Sequence, residues 1–149
     1  MARKIIYVVA FIGLSLAVLA YVVTRPGELV TPTGSGTVTV DGQSFEAFPL
    51  PDYVTSITGG DYLSYLIEVE PGIKIHMLEV GRGFPLFLQH GNPTSGLLYR
   101  KVAEALGADQ FRIIMPTLAG LGFSSKIPAT NIPSKTTFAG SIRRSLSSK

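Results

Sequence analysis

Apolar and polar residues alternate in two neighbouring stretches of this chain. Tyr62 to Glu70 sets Tyr65, Ile67 and Val69 on one side, and Ile73 to Val80 does the same through Ile75 and Met77. A period of two marks half-buried strands, and Pro71-Gly72 between them supplies a turn. The pattern predicts an antiparallel hairpin. Pro85 to Gln89 is a short, almost wholly apolar run, as in a strand buried on both faces. A helix is predicted next. Thr94 or Ser95 caps it, Leu98, Val102 and Leu106 recur every fourth residue, and Gly107 ends it. Phe111 to Met115 reads as another apolar strand, stopped by Pro116. The order β-β-β-α-β, with a crossover helix before the last strand, predicts an α/β fold whose final two strands run parallel.

Upstream the pattern changes. Ile5 to Val23 holds no charged residue and shows no polar face, which predicts a single helix of roughly 28 Å, close to the thickness of a bilayer core. Arg3 and Lys4 precede it, so the reading is a single-pass membrane anchor with the rest of the chain on the non-cytoplasmic side. An exported form cleaved after Ala20 is the alternative, since Val18-Leu19-Ala20 suits a signal peptidase. Thr24 to Asp61 is rich in Thr, Gly and Pro and carries one hairpin signal: Thr37 to Val40 alternates, Asp41-Gly42 turns, and Gln43 to Phe45 returns. The chain thus divides into an anchor or signal segment at 1–24, a linker with a hairpin at 25–61, and a globular part at 62–149.

The chain has 149 residues and no cysteine. Disulfides, thiolate metal sites and a cysteine nucleophile are thereby excluded. The net charge of +3 is mild, and no basic stripe interleaved with aromatics is present, so nucleic acid is not the expected partner. Candidate chemistry lies in two loops. One is Gln89-His90-Gly91-Asn92-Pro93-Thr94-Ser95, between the buried strand and the helix. The other is Pro116-Thr117-Leu118-Ala119-Gly120-Leu121-Gly122-Phe123-Ser124, after the next strand. Loops at the carboxyl ends of strands in an open α/β sheet are where ligands bind.

Together the two motifs resemble the haloalkane dehalogenase branch of the α/β-hydrolases, over about Tyr65 to Pro128. Esterases, lipases and epoxide hydrolases share the His-Gly pair. Asn92 narrows the branch, because epoxide hydrolases usually carry an aromatic residue there. The resemblance implies a role for Asn92: its backbone N–H would help form an oxyanion hole, and its side-chain amide would help hold a departing halide. An amide presents donors to a soft anion without a fixed charge that would retain the product. The alternative is that Asn92 only shapes the turn before Pro93.

His90 does not fit a catalytic triad with Ser95 and Asp109. In this superfamily the order is nucleophile, acid, histidine, and the nucleophile sits on a strand-to-helix elbow. His90 is therefore read as fixing its loop to nearby backbone, with Gly91 and Pro93 supporting the turn. His76 is read as exposed or satisfied in place. Gly120 and Gly122 permit tight backbone geometry, and Ser124 is read as a loop hydrogen-bonder. The family usually has Asp after the Pro, where this chain has Thr117.

The dehalogenase nucleophile is an Asp in a Gly-x-Asp-x-Gly elbow, and esterases use Gly-x-Ser-x-Gly. Neither occurs between Ser124 and Lys149, so no catalytic residue is assigned, and the nucleophile, acid, base histidine and cap are expected beyond Lys149. Without nucleophile and base, neither ester formation nor ester hydrolysis proceeds. The expectation is an α/β-hydrolase fragment, inactive alone, whose complete form would take a small hydrophobic substrate without cofactor or metal. Epoxide or ester hydrolysis is the alternative, as is a non-catalytic, membrane-tethered interaction module. In that case the strand at Pro85 to Gln89, lacking a neighbour, would be an open edge. Phe138, Ile142 and Leu146, at every fourth position, suggest the start of a further amphipathic helix.

Overall fold

The computed structural model describes residues 2–24, 27–59 and 62–128. The elements are α1 (Ala2–Thr24), β1 (Thr37–Val40), β2 (Gln43–Ala47), α2 (Asp52–Thr58), β3 (Leu63–Glu70), β4 (Ile73–Gly81), β5 (Phe84–Phe87), α3 (Arg100–Leu106) and β6 (Phe111–Pro116). Six strands form one sheet in the order β1-β2-β3-β4-β6-β5. All neighbours are antiparallel except β5 and β6, which pair in parallel with Leu86 opposite Ile113. The parallel crossover expected from the sequence is present.

Each hairpin follows from its turn. Asp41 and Gly42 both adopt positive φ, 51° and 78°, as a two-residue loop that matches strand twist requires. Val40 then faces Gln43. This hairpin pairs with β3 through Glu46 and Ala47, so it extends the same sheet.

The two faces of the sheet hold separate clusters. Val40, Tyr65, Ile67, Ile75 and Met77 pack on one, and Leu78, Ala103, Ile113 and Met115 on the other, beneath α3. Alternation along β3 and β4 produces this division.

Four expectations need correction. A helix does form over the N-terminal apolar run, but no helix among the described residues is long and apolar enough to cross a membrane. The membrane-spanning helix of the fold assignment, the membrane as partner and the single-pass localisation are overturned with it. Second, of the three residues expected inward only Leu106 packs there; Leu98 and Val102 are exposed, and Leu97 and Ala103 turn inward instead. Gly96–Tyr99 is a 3₁₀ turn, and three residues per turn instead of 3.6 shifts the phase of α3 behind it. Third, neither Thr94 nor Ser95 caps the helix by a side-chain bond; Ser95 stands at the cap position without one. Fourth, β5 is not buried on both faces. It is the last strand of the sheet, with Phe84 and Phe87 exposed.

Helix α2 was not anticipated. Pro51 in extended geometry begins it, Asp52 lies in its first turn, and Gly59 closes it in the left-handed region. Its one buried residue is Val54. The amphipathic pattern at Phe138, Ile142 and Leu146 lies outside the described residues.

Candidate functional site

Because β5 and β6 are parallel neighbours, their carboxyl ends open on the same edge of the sheet, and the two motif loops leave side by side. His90 joins them. Its ring is buried, and Nε2 accepts the Leu118 backbone N–H at 3.0 Å. An accepting Nε2 carries no proton, so the neutral ring holds its hydrogen on Nδ1, which donates to the Gly91 carbonyl at 2.8 Å. Thr94 Oγ1 stands 3.2 Å from the same Nδ1 and donates to the Gly91 carbonyl at 2.8 Å. One imidazole thus ties the first loop to itself and to the second.

Thr117 makes the second tie. It is buried, and its hydroxyl accepts the Gly96 N–H at 3.1 Å. A carboxylate at this position would accept the same bond with a charge; the hydroxyl accepts it without one. The helix start sits close to the sheet here, since a Cβ on Gly96 would lie 2.5 Å from the Met115 carbonyl. Gly122 is equally constrained. Its φ is +45°, and a Cβ would meet Thr117 Cγ2 at 2.9 Å.

The rest of the second loop is fastened to β4. Ser124 Oγ donates to the Thr117 carbonyl at 2.7 Å and accepts the His76 N–H at 2.9 Å. Ser125 Oγ accepts the Lys74 N–H at 2.9 Å, and the backbone N–H of Ser125 donates to the Lys74 carbonyl. His76 is buried between Phe48 and Phe123, with ring centroids 5.3 and 5.4 Å away. Ser64 gives its proton to the Phe48 carbonyl and so accepts from His76 Nε2 at 2.8 Å. Burial pushes the His76 pKa down to about 4, because the charged form has lost its water.

Above this base the tip of the first loop is open. Gly91, Asn92, Pro93 and Thr94 are exposed, and the Asn92–Pro93 peptide is cis. Among the described residues neither the Asn92 side-chain amide nor its backbone N–H has a hydrogen-bond partner. A Cβ on Gly91 would meet nothing within 4 Å. Two sets of N–H donors therefore stand free beside the start of a helical turn, an arrangement that suits an anion.

His90, Gly91, Asn92 and Pro93 share the first loop, while Gly120 and Gly122 lie in the second. Sequence reasoning missed the bonds that Thr94 and Ser125 make here, and left Thr117 as an unexplained departure. Among the described residues no group of three His, Asp or Glu side chains is placed to hold a metal.

A second polar cluster lies elsewhere. Arg112 pairs with Glu79 and, at 2.7 Å, with Asp41, and Tyr65 donates its hydroxyl to Glu79 at 3.1 Å. Burial, followed by the neighbouring Glu79 charge, raises the Tyr65 pKa. The cluster rims a hollow of about 360 Å³ floored by Phe45, Ile67, Met77, Phe87 and Ile114. No residue of the Asn92 loop lines it.

Comparison with known proteins agrees with this geometry. The alpha/beta hydrolase fold family model matches residues 85–146. The soluble epoxide hydrolase of Corynebacterium sp. (strain C12) is 43% identical over 76 residues, 51% of this chain and 26% of that enzyme. Haloalkane dehalogenase 2 of Mycobacterium tuberculosis is 43% identical over 53 residues, 36% of this chain and 18% of that enzyme. This chain thus spans about a quarter or less of these relatives. Among solved structures, the haloalkane dehalogenase DatA from Agrobacterium tumefaciens C58 superposes with a TM-score of 0.51 at 29% identity, over 61% of this chain and 31% of that one. The strands, loops and crossover helix described above are similar to part of the α/β-hydrolase fold, as found in haloalkane dehalogenases and epoxide hydrolases.

Proposed function

We propose that this chain supplies the anion-seating part of a haloalkane dehalogenase-like hydrolase, and that it does not turn over substrate by itself. The observation that carries the reading is the free pair of donors at Asn92, held over a fully bonded base. In a complete site the side-chain amide would face the charge that develops on the departing halide and the backbone N–H the charge of the oxyanion, where fixed N–H groups lower the barrier. No Gly-x-Asp-x-Gly or Gly-x-Ser-x-Gly stretch of this sequence supplies the attacking group, so the reading assigns this chain anion seating and no displacement step.

Bromide titration of the full chain, followed by amide nuclear magnetic resonance, tests this. The Asn92 backbone and side-chain signals should shift with millimolar affinity, and Asn92→Ala should abolish the response. Bromide release from a bromoalkane should stay at the level of heat-killed protein. Turnover above that level, or shifts that spare Asn92, would refute the proposal.

Epoxide hydrolysis is the second reading, favoured by the match to the Corynebacterium enzyme. It requires an oxyanion donor at the backbone of Asn92 but no halide seat. A backbone shift without any side-chain response would select it.

A further inference from the structure

Residues 27–36 fall in the stretch that composition marks as a linker, yet they are fastened along their length. Pro32 favours extended backbone at the residue before it, and Val30 and Thr31 run beside the end of the second motif loop. Val30 N–H donates to the Lys126 carbonyl at 3.1 Å, and Lys126 N–H returns a bond to the Val30 carbonyl at 2.7 Å. Thr31 Oγ1 donates to the Gly72 carbonyl, in the turn between β3 and β4. Downstream, Gly34 N–H donates to Glu46 Oε1 at 2.5 Å, and Ser35 N–H to the Ala47 carbonyl at 2.8 Å. Ala47 N–H then donates to the Gly36 carbonyl at 3.0 Å. Only a glycine passes at position 34, because a Cβ there would run into the Ala47 carbonyl. The segment is a strap, bonded to the second loop at one end and to β2 at the other.

From the strap a continuous run of bonds leads to the Asn92 loop. Lys126 follows Ser125, whose carbonyl accepts the Gly120 N–H at 2.7 Å. The Lys126 ammonium donates to the Gly122 carbonyl, so the second loop closes on the residue that Val30 holds. Two positions before Gly120, the Leu118 N–H is taken by His90, whose ring also fixes Gly91. Thr31 adds a second junction, since the Gly72 carbonyl that it bonds lies 3.5 Å from Ser125 Oγ. The Val30 side chain is 59% exposed. Its backbone therefore makes the connection.

We propose that Val30 and Thr31 are positioning residues for the anion seat: the strap holds the end of the second loop, and that loop holds His90 and the Asn92 tip. Only the last link rests on the anion reading of Asn92. Neither residue touches the anion; each acts through Lys126, Ser125 and His90. Losing the strap bonds should loosen the two loops and leave the sheet intact, because β4 and β6 pair without the strap.

Residue-resolved hydrogen exchange and bromide titration of the full chain test this with two pairs of variants. Val30→Pro removes the donated N–H, and Thr31→Val removes the hydroxyl. Val30→Ala and Thr31→Ser keep them. In each of the first two, the Gly120 and Leu118 amides should exchange about tenfold faster, the size of one lost bond. Bromide should bind about fivefold more weakly at Asn92. Val30→Ala and Thr31→Ser should match the wild type in both measurements. Amides of the β4–β6 pair should keep wild-type rates in all four variants, which separates loosened positioning from a weakened fold. Unchanged exchange at Gly120 and Leu118 in Val30→Pro and Thr31→Val, or equal acceleration in the β4–β6 pair, would overturn the strap. A wild-type chain without a bromide response at Asn92 would overturn the anion reading instead, so the two failures fall on separate measurements.

Discussion

The base and the tip of the Asn92 loop region differ sharply. Below, His90, Thr117, Ser124 and Ser125 are all buried, all polar and all bonded. Above, Gly91 to Thr94 is exposed, and Asn92 has donors to spare among the described residues. An unmade bond in the base would cost a desolvated polar group, about 1 to 3 kcal/mol. The same unmade bond at the tip costs little, because water takes it. The difference teaches where precision resides. The base fixes the path of the backbone, and the tip leaves the Asn92 donors open to solvent, where the proposed anion would meet them.

The largest expected effect breaks the base. His90→Ala leaves the part-buried Leu118 N–H without its acceptor and the Gly91 carbonyl with only its Thr94 bonds, and adds a cavity. Equilibrium denaturation of the full chain should show a loss of about 4 kcal/mol.

Acid should weaken the base next. His76 titrates at about 4 when folded and near the ordinary histidine value of 6.5 when unfolded. Below 6.5 the unfolded chain binds the extra proton, and the folded chain does not until about pH 4. The contribution is fully present above 6.5 and is lost as pH falls towards 4, by about 3 kcal/mol in total. His76→Gln should flatten that slope when stability is measured between pH 7 and 4. An unchanged slope would mean that another group carries it.

The smallest effect belongs to the tip. Asn92→Ala should change stability by under about 0.5 kcal/mol, as for exposed positions without partners. A loss of about 2 kcal/mol, the size expected of a broken buried bond, would show that Asn92 is part of the base, and the contrast between the two regions would disappear.

Much of this was legible in the sequence. The β3–β4 hairpin follows from alternation and Pro71-Gly72, the β1–β2 hairpin from Asp41-Gly42, and β6 from an apolar run bounded by Pro116. The parallel crossover follows from a helix between two apolar runs. The phase of α3 was not legible, because a 3₁₀ turn precedes it and apolar spacing alone does not reveal a change of pitch. Helix α2 escaped because seven residues with one buried side chain leave almost no periodic signal. The apolar run over Ile5 to Val23 correctly announced a helix; the membrane reading went further than the described helix supports.

For the site, His90 to Pro93 stood out as a motif, yet the base beneath it did not. Lys74 and Ser125 are 51 positions apart, and His76 and Ser124 are 48 apart. A serine in a loop has many ordinary uses, and only the folded sheet brings these two against β4. Thr117 shows the same limit. Its hydroxyl takes the Gly96 N–H across 21 positions, a bond that neither loop announces by itself.

Residue-resolved hydrogen exchange of the full chain tests the central contrast most directly. The amides of Leu118, Gly96 and His76, each bonded to a side chain of the base, should exchange about a hundredfold more slowly than that of Asn92, as roughly 3 kcal/mol of local opening free energy implies. Bromide should slow Asn92 and leave the other three unchanged. Exchange at Leu118 as fast as at Asn92 would contradict the account.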